Sequence, residues 1–140
     1  MKQMSISKEL TKRQTMAFNS FISQLPRICH EVNRAYCKAM GDNSHASWSE
    51  APVWQRESAV EGVAYHMKHH ESTPKDSHEN WLAEKTRTGW IYGPEKDTLN
   101  RLHPCMLPFD QLPKEQQAKD FIFHAIIKVM LEIHIENNRD

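Results

Sequence analysis

The sequence predicts a mainly α-helical domain of four to five helices, with one long ordered loop that is punctuated by Pro and Gly and carries short extended pieces. Three observations lead there. Apolar residues recur at spacings of three and four along most of the 140 residues, the repeat of a helix face. No stretch shows a convincing period of two. Gly and Pro, only 4 and 7 in the whole chain, crowd into residues 89–113, too densely for a long regular element.

The elements follow in order. Leu10, Ala17, Phe18, Phe21, Ile22 and Leu25 mark one face of a first helix over residues 7–25, which Pro26 closes or kinks. A second stripe runs through Ile28, Cys29, Val32, Tyr36, Ala39 and Met40, and Gly41-Asp42-Asn43 supplies its stop. After a loop over residues 41–51, Pro52 suits the first turn of a helix whose stripe is Val53, Val60, Val63, Ala64 and Met67. Ser77 is a good N-cap for a shorter helix with Trp81, Leu82 and Lys85, stopped at Gly89. Pro113 opens the last helix, from Lys114 to about Glu136; from Phe121 onward it is apolar on most sides, as expected for the central helix of a bundle. Residues 1–26 read as an N-terminal amphipathic extension, 27–136 as a single domain and 137–140 as a tail.

Composition narrows the function. Lys+Arg and Asp+Glu number 18 each, so binding to a nucleic acid polymer by bulk charge is not expected. With 26% charged and 39% hydrophobic residues, the chain has the content of a folded domain. No apolar run approaches the roughly 20 residues that span a bilayer, and the N-terminus carries no secretory signal pattern. The three cysteines lack framework spacing and fit free thiols in a cytoplasmic setting. Four Trp and 9 His are many for so small and neutral a chain.

The residues that could carry chemistry sort unevenly. His66, His69 and His70 have the spacing of zinc ligands but lack the general-base Glu, with Lys68 among them, and read as a solvated helix end. Cys29 and Cys37 lie about 12 Å apart along one helix, too far to bridge, and read as buried small side chains. Cys105 beside His103 shows no third orienting group for a thiol nucleophile. Asn33 and Glu57 each sit within an apolar stripe, either as paired buried groups or facing a pocket. The best candidate site is the aromatic loop. Trp81, Trp90 and Tyr92 flank Gly89 and Gly93, followed by Lys96, Asp97, Arg101 and His103. Indole faces suit a planar heterocycle and nearby cations suit phosphate oxygens; the alternative is satellite core beneath a long loop.

At these residues the chain resembles the RyR domain, the repeat named after the ryanodine-receptor calcium channels and found also in small bacterial and phage proteins. The stretches that carry the resemblance are Ile28 to Cys37 (ICHEVNRAYC), Ala51 to Gln55 (APVWQ), His78 to Trp81 (HENW), Gly89 to Asp97 (GWIYGPEKD), His103-Pro104-Cys105 and Pro108 to Pro113 (PFDQLP). They cover residues 27 to about 131, leaving the first 25 outside. The resemblance implies a small, mostly helical domain. In the channels the repeats form tandem cytosolic pairs, and a paired repeat resembles an adenine-nucleotide clamp in which the tryptophan of G-W-x-Y-G stacks on the ligand. Carried over, that tryptophan is Trp90. A single repeat would need a second chain, a homodimer, to rebuild the pair.

The leading expectation is therefore a non-catalytic binding module for a nucleotide or nucleotide-derived signal, acting as sensor or sequestering protein. Trp90 stacks on the base, with Trp81 or Trp54 as a wall. Tyr92, Asn33 and His103 supply hydrogen bonds, Arg34, Lys96 and Arg101 meet phosphate, and Asp97 lies among them. No cofactor, metal or catalytic residue is expected, and affinity should rise as His103 or His78 takes up a proton near pH 6.5. A second reading is a protein-interaction module in which Trp81 and Trp90 are core. A third, an enzyme using His103, Asp97 and Lys96, lacks an organised acid, base and electrophile.

Overall fold

The computed structural model describes residues 2–137, except the side chains of residues 2–11 and 18. Four helices dominate: α1 (Lys2–Ala39), α2 (Val53–Lys68), α3 (Pro74–Arg87) and α4 (Lys114–Asn137). Between α3 and α4 lie two-residue strands, β1 (Ile91–Tyr92) and β2 (Leu102–His103), and one 3-10 turn at Phe109–Gln111. This is the mainly α architecture that the periodicity implies. The strands pair in parallel, Ile91 with Leu102 and Tyr92 with His103, and are the short extended pieces of the long loop.

The first two stripes turn out to be one helix. Pro26 is buried inside α1 and ends nothing. It removes one backbone donor, but its neighbours offset that loss: Leu25 is fully buried and Cys29 nearly so, in a core with Val63 and Ile127. Tertiary packing of this kind outweighs a single unfavourable residue in a long helix. The boundary drawn at residue 26 thus falls within a continuous helix, and Phe21 and Ile22 pack on the core. Leu10 and Phe18 of the same stripe lie outside the described side chains.

Two helices end in the same way. The Asp42 amide donates to the Cys37 carbonyl at 2.8 Å and the Gly41 amide to Lys38 at 3.0 Å. The Trp90 amide likewise reaches Lys85 at 2.9 Å and the Gly89 amide reaches Thr86 at 3.1 Å. Both glycines adopt positive φ, 92° and 89°, as this pair of terminal bonds requires. Each stop positions the residue that follows it, Asp42 in one case and Trp90 in the other.

Three local expectations need correction. The N-cap of α3 is Thr73, one turn before Ser77: Thr73 and Asp76 form a reciprocal capping box with Pro74 in the first turn. Ser77 instead lies within α3, buried, with its hydroxyl 2.5 Å from His66 Nε2. His66 is therefore no solvated residue, although His69 and His70 are exposed. Finally, α4 is not enclosed. Ile127 is buried, but Phe121, Val129, Ile133 and Ile135 are exposed, because α4 packs on α1, α2 and α3 without a covering element outside it.

A second, smaller cluster, Cys105, Phe109 and Leu112 with Trp81 and Leu107, lies under the long loop. The Gln117 side chain donates to the Phe109 carbonyl at 2.9 Å and Glu79 accepts from the Phe109 amide at 3.2 Å, which seats the 3-10 turn between α3 and α4.

The two serine and threonine roles are separable. Thr73→Ala should cost about 1 kcal/mol by loss of the cap. Ser77→Ala should cost about 1–3 kcal/mol by stranding buried His66, without shortening α3. Urea unfolding with amide exchange at residues 75–77 checks both; early exchange in Ser77→Ala alone would reverse the assignment.

Candidate functional site

Between the two apolar clusters the helices leave a cavity of about 220 Å³. α2 presents Trp54, α3 presents Trp81, and the residue after the glycine stop of α3 is Trp90. The Trp54 and Trp90 rings are tilted at 49° with centroids 5.2 Å apart. Trp81 meets His103 edge-on at 5.1 Å, and His103 stands 6.3 Å from Trp90. Trp90 is only 6% exposed, so its ring belongs to the cavity wall and to the core at once.

Cations face this wall. Lys85 Nζ lies 4.8 Å from the Trp54 ring centroid and 5.7 Å from that of Trp90, within the range of cation–π attraction. Its charge is balanced by Glu84 at 3.9 Å, a carboxylate that also accepts from Ser58 at 2.9 Å. Burial lowers the Lys85 pKa. Lys96, from the loop, and Lys119, from α4, also line the cavity. Burial lowers the Lys96 pKa as well, against the opposing pull of Asp42.

The polar side chains around the cavity are held in defined states. His103 Nδ1 accepts from the Cys105 amide at 3.0 Å, leaving Nε2 to carry the ring proton. Burial, with Lys96 and Lys119 nearby, pushes its pKa down to about 3, so His103 is neutral throughout the ordinary range. With these neighbours alone, His103 therefore carries no charge near pH 6.5. His45 is lowered to about 4, mainly by burial. Burial raises the Asp120 carboxyl to about 7, and it lies 3.7 Å from His78 Nδ1. The Cys105 thiol, whose pKa burial raises, donates to Gln116 Oε1 at 3.2 Å.

Of the residues singled out from sequence, Trp54, Trp81, Trp90, Asn33, Lys96 and His103 line this one cavity. Four others point elsewhere. Arg34 pairs with Glu31 at 3.2 Å on the outer face of α1. Tyr92 is 52% exposed on β1. Asp97 binds the amide and side chain of Asn100, at 3.1 and 2.7 Å, within a turn. Arg101 takes a φ of 54° and donates to the Thr88 carbonyl, across the end of α3. These loop charges are spent on the loop's own turns. Glu57 is exposed on α2 and is not a buried group.

Lys85, Lys119, His45, Gln116 and Asp120 also line the cavity, and sequence reasoning passed over them. Lys85 carried a signal, four residues after Trp81 and hence on the same helix face. Gln116, Lys119 and Phe123 share such a face on α4. His45 had none.

The family model of the RyR domain matches residues 58–137. This chain belongs to the RyR domain family. The match runs from α2 to the last residue of α4 and contains Trp81, Lys85, Trp90, Lys96, His103 and Lys119. Trp54, Asn33 and His45 are supplied by the part of the chain that precedes it. The cavity thus draws on residues from both sides of residue 58, where that match begins.

The buried histidines make stability depend on pH. His103, His66 and His45, with folded pKa values of about 3, 4 and 4, stay neutral while the unfolded chain protonates them near pH 6.5. Their contribution is intact above that pH and is lost as pH falls toward 4. Asp120, raised to about 7, acts in the opposite sense, since the folded state takes up its proton first. Three imidazoles outweigh one carboxyl. Melting temperature should fall between pH 7 and about 5, the window set by unfolded histidine; a flat or rising profile by calorimetry would contradict the assignment.

Proposed function

We propose that this RyR domain is a non-catalytic binding module for a small aromatic anion, a nucleotide or a nucleotide-derived signal, and that it acts as a sensor or sequestering protein. One observation carries the reading: Trp54, Trp81 and Trp90 line a single cavity together with Lys96 and Lys119. The indoles offer stacking surface for a base, and the two ammonium groups offer charge-assisted bonds to phosphate. Asn33 and the neutral His103 add one amide and one imidazole N–H for the polar edge of the base. The cavity, about 220 Å³, lies below the ~300–1,000 Å³ usual for drug-sized ligands, which favours a mononucleotide over a dinucleotide.

Turnover is not part of the proposal. A histidine with a pKa near 3 is a poor general base at neutral pH, and Cys105 is a protonated thiol, not a thiolate. Three buried free cysteines support a reducing, cytoplasmic setting, and among the described residues no helix is long and apolar enough to cross a membrane. A two-fold pair of chains would carry two such cavities. The exposed apolar side chains of α4 (Phe121, Val129, Ile133 and Ile135) favour a second reading, in which the domain docks a protein partner and the tryptophans serve as core.

Calorimetric titration with AMP, ADP, ATP and cyclic mononucleotides separates the two. Heat with at least one of them is expected, together with a change in tryptophan fluorescence. Lys96→Met and Lys119→Met should each weaken binding about tenfold or more, the worth of a charge-assisted bond, without lowering the melting temperature. Folded protein that gives no heat with any of these ligands would leave the docking reading in its place.

A further inference from the structure

We propose that Cys37, Asp42 and His45 form a binding site for a borderline transition-metal ion of the zinc class, at the edge of the cavity. The thiol sulfur, a carboxylate oxygen and an imidazole nitrogen of these residues all lie within 4.8 Å of one another. Three local features build this arrangement. Cys37 is in the last turn of α1 and is 1% exposed. The glycine stop at Gly41 ties the Asp42 amide back to the Cys37 carbonyl at 2.8 Å, which fixes the second donor beside the first. The Ser44 amide then donates to Asp42 Oδ1 at 2.9 Å, orienting the carboxylate so that Oδ2 faces His45 Nδ1 at 3.7 Å.

An independent observation points to an absent occupant. The His45 side chain is 10% exposed, and its Nδ1 is buried with no hydrogen-bond partner, alone in this among the buried side-chain atoms of the described residues. At 3.7 Å the carboxylate oxygen is too far to be that partner. Buried polar atoms are nearly always satisfied, and an ion between the three donors satisfies this one. Donors held 2.0–2.3 Å from a shared tetrahedral ion are roughly 3.3–3.8 Å apart, so the widest separation here closes with side-chain rotations alone.

The donor chemistry selects the ion. Thiolate, imidazole and carboxylate together suit zinc or cobalt, whereas calcium and magnesium take oxygen ligands. Three protein ligands leave a fourth position for water or a ligand atom. Lys96 opposes occupation, because its ammonium is near enough for Cys37, Asp42 and Lys96 to influence one another's charge. The site is therefore of moderate affinity, set by a cation on the loop. All three ligands lie outside the residues matched by the RyR-domain model, and the site stands whether or not a nucleotide binds.

The test is titration of the reduced full chain with Co²⁺ in the absence of nucleotide. Expected are a thiolate-to-cobalt charge-transfer band and visible absorption of four-coordinate intensity, both displaced by Zn²⁺. The band should vanish in Cys37→Ser and persist in Cys29→Ser and Cys105→Ser. Because Cys37→Ser removes a buried side chain, Asp42→Asn and His45→Ala, verified as folded by circular dichroism, serve alongside it and should each weaken cobalt binding tenfold or more. Lys96→Met should tighten it roughly tenfold, as removal of a nearby like charge requires. Absence of a charge-transfer band overturns the proposal, as does a band that survives Cys37→Ser or is indifferent to both Asp42→Asn and His45→Ala.

Discussion

Imidazoles bonded to chain atoms outside their own helices hold this fold together where the helices stop. His30 on α1 donates to the Ala46 carbonyl at 2.8 Å, His78 on α3 to Leu107 at 2.7 Å, and His124 on α4 to Ser72 at 2.6 Å. His66 on α2 is held between Ser72 and Ser77, and His103 accepts a loop amide. Each bond fixes an irregular segment whose backbone groups would otherwise need water. An imidazole suits the task, for its two ring nitrogens let a small flat side chain bond both donors and acceptors. The histidine abundance of the chain is largely this framework.

The cavity follows from the same constraint. Loops tied down at a few points do not collapse into the space between the main core and the smaller cluster at Phe109. The space that remains inherits its lining from both sides: Cys29 and Phe123 from the helices, Cys105 and Leu112 from the loop region. Into it project Trp54, Trp81 and Trp90 and the side chains of Lys85, Lys96 and Lys119. A cavity lined by aromatic rings and cations is thus what remains when two cores are held apart.

Much of this was legible in the sequence. The helical class, the helix starts at Pro52 and Pro113, the glycine stops at Gly41 and Gly89 and the irregular character of residues 89–113 all follow from local chemistry that the folded chain obeys. Pro26 misled because its cost is local while the burial of Leu25 and Cys29 that offsets it is tertiary. Thr73 was overlooked for Ser77, although Thr73-Pro74-Lys75-Asp76 carries the capping pattern in full. In the site, the tryptophans, Asn33, Lys96 and His103 could be chosen by residue type. Arg34, Asp97 and Arg101 were chosen on the same grounds, and turn geometry or a neighbouring carboxylate claims them instead. Lys119 and His45 reach the cavity from distant parts of the chain, a juxtaposition that periodicity alone does not encode.

The unbroken run of α1 has a mechanical consequence. Its 38 residues span about 57 Å without a turn or glycine, Pro26 being the one residue that loosens the helical ladder. Its described N-terminal side chains, Lys12 to Ala17, stand in solvent, while His30 and Asn33 on the same helix face the cavity and Leu25 sits between them in the core. Any change in the tilt of α1 about the core at Leu25 therefore moves His30 and Asn33, and with them one side of the cavity.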